Sequence, residues 1–160
     1  MLQQEKMIAR VRALCEADPR IDAAMMYGSF TYGEGDPFSD IEFLLFFNDE
    51  AFEEIEPRNW LAQIAPVAML YVNEHGIHNV IFENLIRGEF HFHRASEVGI
   101  GAAWPGRLTF PSLAATLIVD RSGALTPYLE AIIGPPLPRD QVETLRTLVY
   151  SFINWTLFGL

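Results

Sequence analysis

Two short apolar segments separated by a turn-rich loop constrain the fold of this chain more than any other feature. The first runs from Ile21 to Tyr27 and is followed by Gly28-Ser29, and the second runs from Asp40 to Phe47. The second segment is almost continuously apolar beyond its two acids, which is typical of a strand that is covered on both faces. Residues 31–38, between the segments, contain two glycines and a proline. The sequence therefore predicts two neighbouring strands joined by a polar loop.

The remaining periodicity predicts an α+β domain in which a mixed β-sheet is flanked by helices. At 160 residues the chain has the length of one ordinary domain. Residues 85–92 fit either a strand or a short helix, because the periodicity does not decide between them. The other predicted elements are helices over residues 3–17, 125–133 and 141–160, and strands over residues 67–72, 78–82 and 113–119, with a hairpin turn at residues 73–76.

Asp40 and Glu42 form a candidate magnesium site. Side chains two positions apart on a strand point to the same side, so these two carboxylates are expected to project together while Ile41 faces the opposite layer. Adjacent carboxylates repel each other, and burying them without a cation is costly. Magnesium suits such a pair because it prefers oxygen ligands and bridges carboxylates to phosphates.

Gly28 and Ser29 form a candidate phosphate-binding turn. A glycine lets the backbone approach a ligand without an intervening Cβ, and free amide groups together with the Ser29 hydroxyl can bind phosphate oxygens. Neither a Gly-Ser turn nor an Asp-x-Glu strand is specific by itself. Their combination at the ends of neighbouring strands favours a site where a nucleoside triphosphate lies between the turn and the acids, with the metal in the middle.

A third acid is expected to act as a base. A hydroxyl that attacks phosphorus must lose its proton, and a positioned carboxylate can accept it. Glu89 is one candidate, because Phe90 and Phe92 offer an apolar setting that would raise its pKa. Glu83 is the other, and the spacing alone leaves both open. Arg87 could contact a phosphate or form a structural ion pair.

The acidic composition limits the classes of molecule that the chain is expected to bind. The formal net charge is −10, and Lys6 is the only lysine. Nucleic-acid binding depends on Lys and Arg contacts to phosphates, so a small neutral or cationic partner fits this charge better than DNA or RNA. No apolar run is long enough to span a membrane, and the N-terminus lacks the apolar core of a signal peptide, which favours a cytoplasmic protein.

Four segments of the chain resemble the lincosamide nucleotidyltransferases, a family of the polymerase-beta-like nucleotidyltransferase superfamily. The Gly-Ser and Asp-x-Glu pattern is shared by the superfamily, whereas the Arg-Gly-Glu-Phe-His-Phe segment points to the lincosamide branch. The resemblance extends through nearly the whole chain. The segments are residues 26–31, 33–36, 39–42 and 87–92.

The resemblance implies the polymerase-beta-like fold and transfer of AMP from ATP to a hydroxyl of lincomycin or clindamycin, which inactivates the drug. It implies that Asp40 and Glu42 bind Mg²⁺ and take part in catalysis, and that Gly28 and Ser29 bind the nucleotide. It also favours Glu89 over Glu83 as the catalytic acid. The resemblance identifies no antibiotic-binding residue, and it implies that chains of this family can associate as homodimers.

The resemblance also sets expectations for domain organisation. Residues 1–137 correspond to the catalytic domain, and residues 138–160 correspond to the first helix of a helical domain that helps to build the acceptor pocket. Tyr32 stands where related chains tend to carry a lysine, which removes one expected phosphate contact. Two alternatives stay open: the same transfer to another small acceptor such as an aminoglycoside, and a nucleotide-binding module of the antitoxin type without catalysis.

Overall fold

A computed structural model describes residues 1–135 together with residues 147, 149, 152 and 153. The helix predicted over residues 141–160 and the domain boundary predicted after residue 137 therefore lie outside the continuously described range. The helices are α1 (Gln3–Ala17), α2 (Asp49–Phe52), α3 (Pro57–Leu61), α4 (Leu113–Thr116) and α5 (Thr126–Glu130), and 3₁₀ helices cover Ser29–Tyr32 and Ala95–Ala103. The strands are β1 (Ile21–Tyr27), β2 (Ile41–Phe47), β3 (Val67–Val72), β4 (His78–Phe82), β5 (Arg87–Arg94) and β6 (Leu117–Asp120).

The strands form one mixed sheet, which confirms the predicted α+β class. Its six strands lie in the order β3-β4-β5-β2-β1-β6. Strand β2 pairs antiparallel with β1 and parallel with β5, whereas β3, β4 and β5 form an antiparallel meander. The predicted hairpin joins β3 to β4, and the amide of Asn73 donates to the carbonyl of Ile77 across it. The segment that fitted either a strand or a helix is strand β5.

Strand β2 is apolar because both faces of the sheet are covered. Phe43, Leu45 and Phe47 belong to the apolar cluster that also holds the buried face of α1. Leu44 and Phe46 belong to the cluster on the opposite face, which is closed by Trp104, Phe110 and the residues of α5. Each buried phenylalanine contributes roughly 1.5–3 kcal/mol, so β2 is held at the centre of the molecule. Glu42 lies on this buried strand, and Asp40 immediately precedes it.

The predicted strand over residues 113–119 is wrong in its first half. Ser112 accepts a hydrogen bond from the Ala115 amide at 3.2 Å and so caps one helical turn before β6 begins. Thr116, fully buried, ties that turn to β1 through a hydrogen bond from its hydroxyl to the Met26 carbonyl. The helix predicted over residues 125–133 is shorter than expected, because Ile133 forms a β-bridge with Phe110.

Candidate functional site

Tyr27, Glu42 and Glu89 form a row across three adjacent strands. Tyr27 of β1 is the cross-strand partner of Glu42 of β2, and Glu42 is in turn the partner of Glu89 of β5. Partners in register have their side chains on the same face of a sheet, on strands about 4.8 Å apart. The parallel pairing of β2 with β5 therefore brings together two acids that lie far apart in the sequence.

Asp40 precedes β2 and forms an ion pair with Arg87 at the start of β5. The distance between Arg87 Nη2 and Asp40 Oδ2 is 3.4 Å, and the arginine side chain is 64% exposed. Of the two roles left open for Arg87, the structure shows the ion pair. Exposed pairs of this kind contribute about 0–1 kcal/mol, so this one exchanges readily for a better ligand.

The described surroundings of Glu42 disfavour the charged form of its carboxyl group. Burial, followed by repulsion from the charges of Asp40 and Glu89, raises the pKa of Glu42 to about 7. Arg87 acts in the opposite direction but is the smallest of the four influences. No hydrogen bond or ion pair to the Glu42 carboxylate is present in the described part of the chain. A cation placed against this carboxylate would therefore relieve an unfavourable burial.

Gly28 leaves the space that the Glu42 carboxylate occupies. Its φ of +80° and ψ of −165° fall in a region that is essentially restricted to glycine. A Cβ at this position would lie 1.5 Å from Oε2 of Glu42. The 3₁₀ helix that follows is anchored by Thr31, whose hydroxyl donates to the Gly28 carbonyl at 2.7 Å. Between them lies Ser29, whose hydroxyl has no hydrogen-bond partner among the residues described and is free to bind a ligand.

Glu89 is held by two side chains that both contact its Oε1 atom. The Tyr27 hydroxyl donates to Oε1 at 2.5 Å, and Nε2 of His91 lies 3.1 Å from the same oxygen. Tyr27 and His91 also approach each other, with 2.9 Å between the phenol oxygen and Nε2. A His91 ring protonated on Nε2 satisfies both of its contacts. Burial and the hydrogen bond to Glu89 raise the pKa of Tyr27, so its hydroxyl remains a donor.

The expected effect of the apolar neighbours on Glu89 is wrong. The hydrogen bond from His91 lowers the pKa of Glu89, with support from Tyr27, and together they outweigh the opposing effect of burial. Phe90 and Phe92 do not surround the carboxylate, because they alternate with it along β5 and join the cluster on the opposite face. Glu89 is therefore an ionised acceptor rather than an acid with a raised pKa.

Glu83 lies apart from this row. It is exposed in the turn between β4 and β5, and its amide donates to the Pro66 carbonyl. The sequence analysis did not identify Tyr27 and His91 as site residues. A signal for both was present: Tyr27 ends a strand immediately before Gly28, and His91 is two positions from Glu89, on the same side of any strand that contains both.

Asp40 and Glu42 suit a magnesium ion that takes its other ligands from phosphate and water, and they do not suit a metal ion held by protein ligands alone. In residues 1–135 and the few described beyond them, no group of three or more His, Cys, Asp or Glu side chains is arranged to hold a metal ion. Magnesium commonly takes only one or two carboxylates from a protein and completes its shell with phosphate oxygens and water. Two neighbouring carboxylates, one of them half-buried and unpaired, are a suitable donor set for that arrangement.

Comparisons with known proteins return a structural neighbour but no family. No family model and no curated protein matches the chain. A similar solved structure is the crystal structure of an aminoglycoside 6-adenyltransferase from Bacillus subtilis, with a TM-score of 0.44 and 16% sequence identity. The match covers 63% of this chain and 37% of that chain, so this chain spans less than half the length of that protein. None of the helices that the structure describes is long and apolar enough to cross a membrane.

Proposed function

We propose that this chain is a magnesium-dependent nucleotidyltransferase that moves AMP from ATP to a hydroxyl group of a lincosamide antibiotic. The row of Tyr27, Glu42 and Glu89 carries this proposal, because it places an unpaired, half-buried carboxylate beside a carboxylate fixed by two donors. The first is suited to a cation, and the second is ionised and oriented, so that its free oxygen can accept a proton from a hydroxyl group. The segment from Arg87 to Phe92 supplies the acceptor class, through its resemblance to the lincosamide enzymes.

The nucleotide is assigned to the β1 side of the row. Gly28 lies against Glu42, and the unpartnered Ser29 hydroxyl follows it, so a phosphate bound there is adjacent to the carboxylate pair. Asp40 and Glu42 would hold Mg²⁺, which polarises phosphoryl oxygens and neutralises charge on the departing pyrophosphate. Arg87 would then exchange its exposed contact with Asp40 for solvent or for a phosphate oxygen.

Glu89 is assigned as the general base. The acceptor hydroxyl oxygen bonds to the α-phosphorus of ATP while the bond from that phosphorus to the bridging oxygen breaks, and pyrophosphate leaves. The hydroxyl proton passes to Glu89, whose Oε2 has no hydrogen-bond partner within the described residues. Tyr27 and His91 hold the opposite oxygen, so the carboxylate is oriented before the acceptor arrives.

The test is mass spectrometry of clindamycin after incubation with the protein, ATP and Mg²⁺. We expect a product heavier by one AMP unit, no product when EDTA is added, and no product from a Glu89→Gln variant. Glu83→Gln is the matched control, since it removes the same charge from the turn between β4 and β5 and should retain activity.

Kanamycin in a parallel reaction separates the alternatives. AMP added to kanamycin but not to clindamycin would contradict the lincosamide assignment and leave nucleotidyl transfer standing. Magnesium-dependent ATP binding without transfer to either drug would contradict the enzymatic proposal and would support a nucleotide-binding module.

A further inference from the structure

The Glu89 carboxylate is contacted from β1 and from its own strand, and it has no hydrogen bond to a described side chain of β4. The Tyr27 side chain reaches it from β1, across the intervening strand β2, and His91 reaches it along β5. Both contacts are made to Oε1, which leaves Oε2 without a partner in the described chain. The side of β4 and β3, which contributes no hydrogen bond to this carboxylate in the described chain, is therefore a candidate approach for a hydroxyl group that loses its proton to Glu89.

The row of in-register residues continues in that direction. Glu89 is the cross-strand partner of Asn79 on β4, and Asn79 is the partner of Tyr71 on the edge strand β3. With strands about 4.8 Å apart, Asn79 and Tyr71 lie about 5 Å and about 10 Å from Glu89 at the level of the backbone. A molecule the size of one or two rings spans this distance.

This part of the sheet face is uncovered within the residues that the structure describes. The apolar cluster on the same face contains residues of β1 and β2 and of the segments after β5, but none from β3 or β4. Met69 and Tyr71 of β3, two positions apart and hence on one face, are each about half exposed. The described chain therefore leaves an open surface beside the general base.

The open surface offers both polar and apolar contacts. The Tyr71 hydroxyl and the Asn79 side-chain oxygen have no hydrogen-bond partner in the described chain, while the Asn79 amide nitrogen donates to the Ile77 carbonyl at 3.1 Å. That last bond fixes the amide so that its oxygen remains available as an acceptor. Tyrosine combines an apolar ring with a polar tip, which suits a ligand that has one face of each kind.

We propose that Asn79 and Tyr71 form the acceptor subsite, which binds a hydroxyl-bearing ring compound with an apolar face and directs one of its hydroxyl groups to Oε2 of Glu89. In this arrangement a second hydroxyl of the acceptor donates to the Asn79 oxygen, and the apolar face of the ring packs on Tyr71. This inference rests on the proposed function, since it takes Glu89 as the base of that reaction.

The test compares Tyr71→Ala with Val72→Ala. These two residues are neighbours on the same edge strand with similar exposure, 49% and 54%, but they lie on opposite faces of the sheet. With saturating ATP, Tyr71→Ala should raise the KM for clindamycin about tenfold, which corresponds to about 1.4 kcal/mol. Its KM for ATP should not change, and Val72→Ala should leave both constants unchanged.

Two further variants keep the test independent of a folding defect. Tyr71→Phe retains the ring and should restore the KM for clindamycin to within about twofold of the wild-type value, because most of the contact is apolar. Asn79→Ala should raise the KM for clindamycin while the KM for ATP stays constant. Size-exclusion chromatography of each variant shows whether this surface instead holds a second copy of the chain.

The outcomes distinguish a failure of the acceptor subsite from a failure of the proposed function. If the wild type transfers AMP to clindamycin but Tyr71→Ala behaves like Val72→Ala, the subsite is wrong and the proposed function stands. A change in oligomeric state for Tyr71→Ala, without a change in the KM for clindamycin, also overturns the subsite. If the wild type transfers AMP to neither clindamycin nor kanamycin, the proposed function fails and this inference fails with it.

Discussion

Replacing Gly28 by alanine tests the site at its tightest contact. The backbone at this glycine has φ +80° and ψ −165°, a combination that costs other residues about 1–3 kcal/mol. The added Cβ would also lie 1.5 Å from Oε2 of Glu42, which is the length of a covalent bond. The turn, the carboxylate or both must therefore move, and a carboxylate that moves leaves the position in which it adjoins Asp40.

Gly33 provides a matched control five residues further along the same loop. Its φ of +72° and ψ of +17° are left-handed, so alanine there also incurs about 1–2 kcal/mol of backbone strain. In contrast to Gly28, a Cβ added to Gly33 would have no atom within 4 Å. Both variants place alanine at a positive φ, but only Gly28→Ala also brings a Cβ against Glu42.

Two measurements on both variants separate stability from ligand binding. Urea unfolding should show that Gly33→Ala loses about 1–2 kcal/mol in the free energy of unfolding, and that Gly28→Ala loses at least about 1–3 kcal/mol. Isothermal titration calorimetry with ATP and Mg²⁺ should show at least a tenfold weaker affinity for Gly28→Ala and an unchanged affinity for Gly33→Ala. A folded Gly28→Ala protein that binds ATP and Mg²⁺ as tightly as Gly33→Ala would refute the assignment of this turn and of Glu42 to the nucleotide.

Four further substitutions test the separate roles of the acids and of Tyr27. Asp40→Asn and Glu42→Gln should each abolish AMP transfer while circular dichroism shows a retained fold, and near-wild-type pyrophosphate release from either variant would contradict the metal assignment. Because the pKa of Glu42 is raised to about 7, the folded wild type loses stability as the pH rises from about 4.5 through 7 and this group ionises. Glu42→Gln removes that loss. Its urea midpoint should therefore be higher than that of the wild type at pH 8.5 and similar at pH 4. Glu89→Gln should lose turnover but keep magnesium-dependent ATP binding, and an unfolded variant would show instead that Glu89 is structural. Tyr27→Phe should lower kcat and leave the KM for ATP unchanged. It should also move the acid limb of the pH profile of kcat to higher pH, because the lost hydrogen bond helps to lower the pKa of Glu89. An unchanged pH profile would count against a positioning role for Tyr27.

Local sequence patterns were sufficient for the strands that border the site. Strands β1 and β2 were predictable because both are short apolar runs: β1 ends at a turn, and β2 follows an acid. Strands β3 and β4 were predictable because a short turn separates two apolar runs. The glycine at position 28 was predictable as a point of close approach. What approaches it was not, since the sequence suggested a phosphate and the structure shows the Glu42 carboxylate.

The environment of Glu89 could not be derived from its neighbours in the sequence. Its surroundings depend on the parallel pairing of β2 with β5, a contact between distant segments that local periodicity does not encode. The apolar residues next to it in the sequence face the other layer, whereas Tyr27, which does contact it, lies 62 positions away. The wrong strand prediction for the first part of residues 113–119 has a similar origin. The apolar pattern there fits a strand or a helix, and the helical turn is favoured by the cap at Ser112 and by the hydrogen bond from Thr116 to β1.

The unlike surroundings of Glu42 and Glu89 support the two distinct roles proposed for them. The two residues are cross-strand partners on one face, yet burial and like charges raise the pKa of Glu42, while His91 and Tyr27 lower that of Glu89. A pair of carboxylates that served only as a solvated sheet edge would have no reason to differ. Adjacent acids whose surroundings separate their pKa values are the arrangement from which enzymes obtain different chemistry from identical groups. Under the proposed function, Glu42 gains most from a cation because it has no partner, whereas Glu89 stays ionised and its Oε1 is held, so its free Oε2 is oriented to accept a hydroxyl proton.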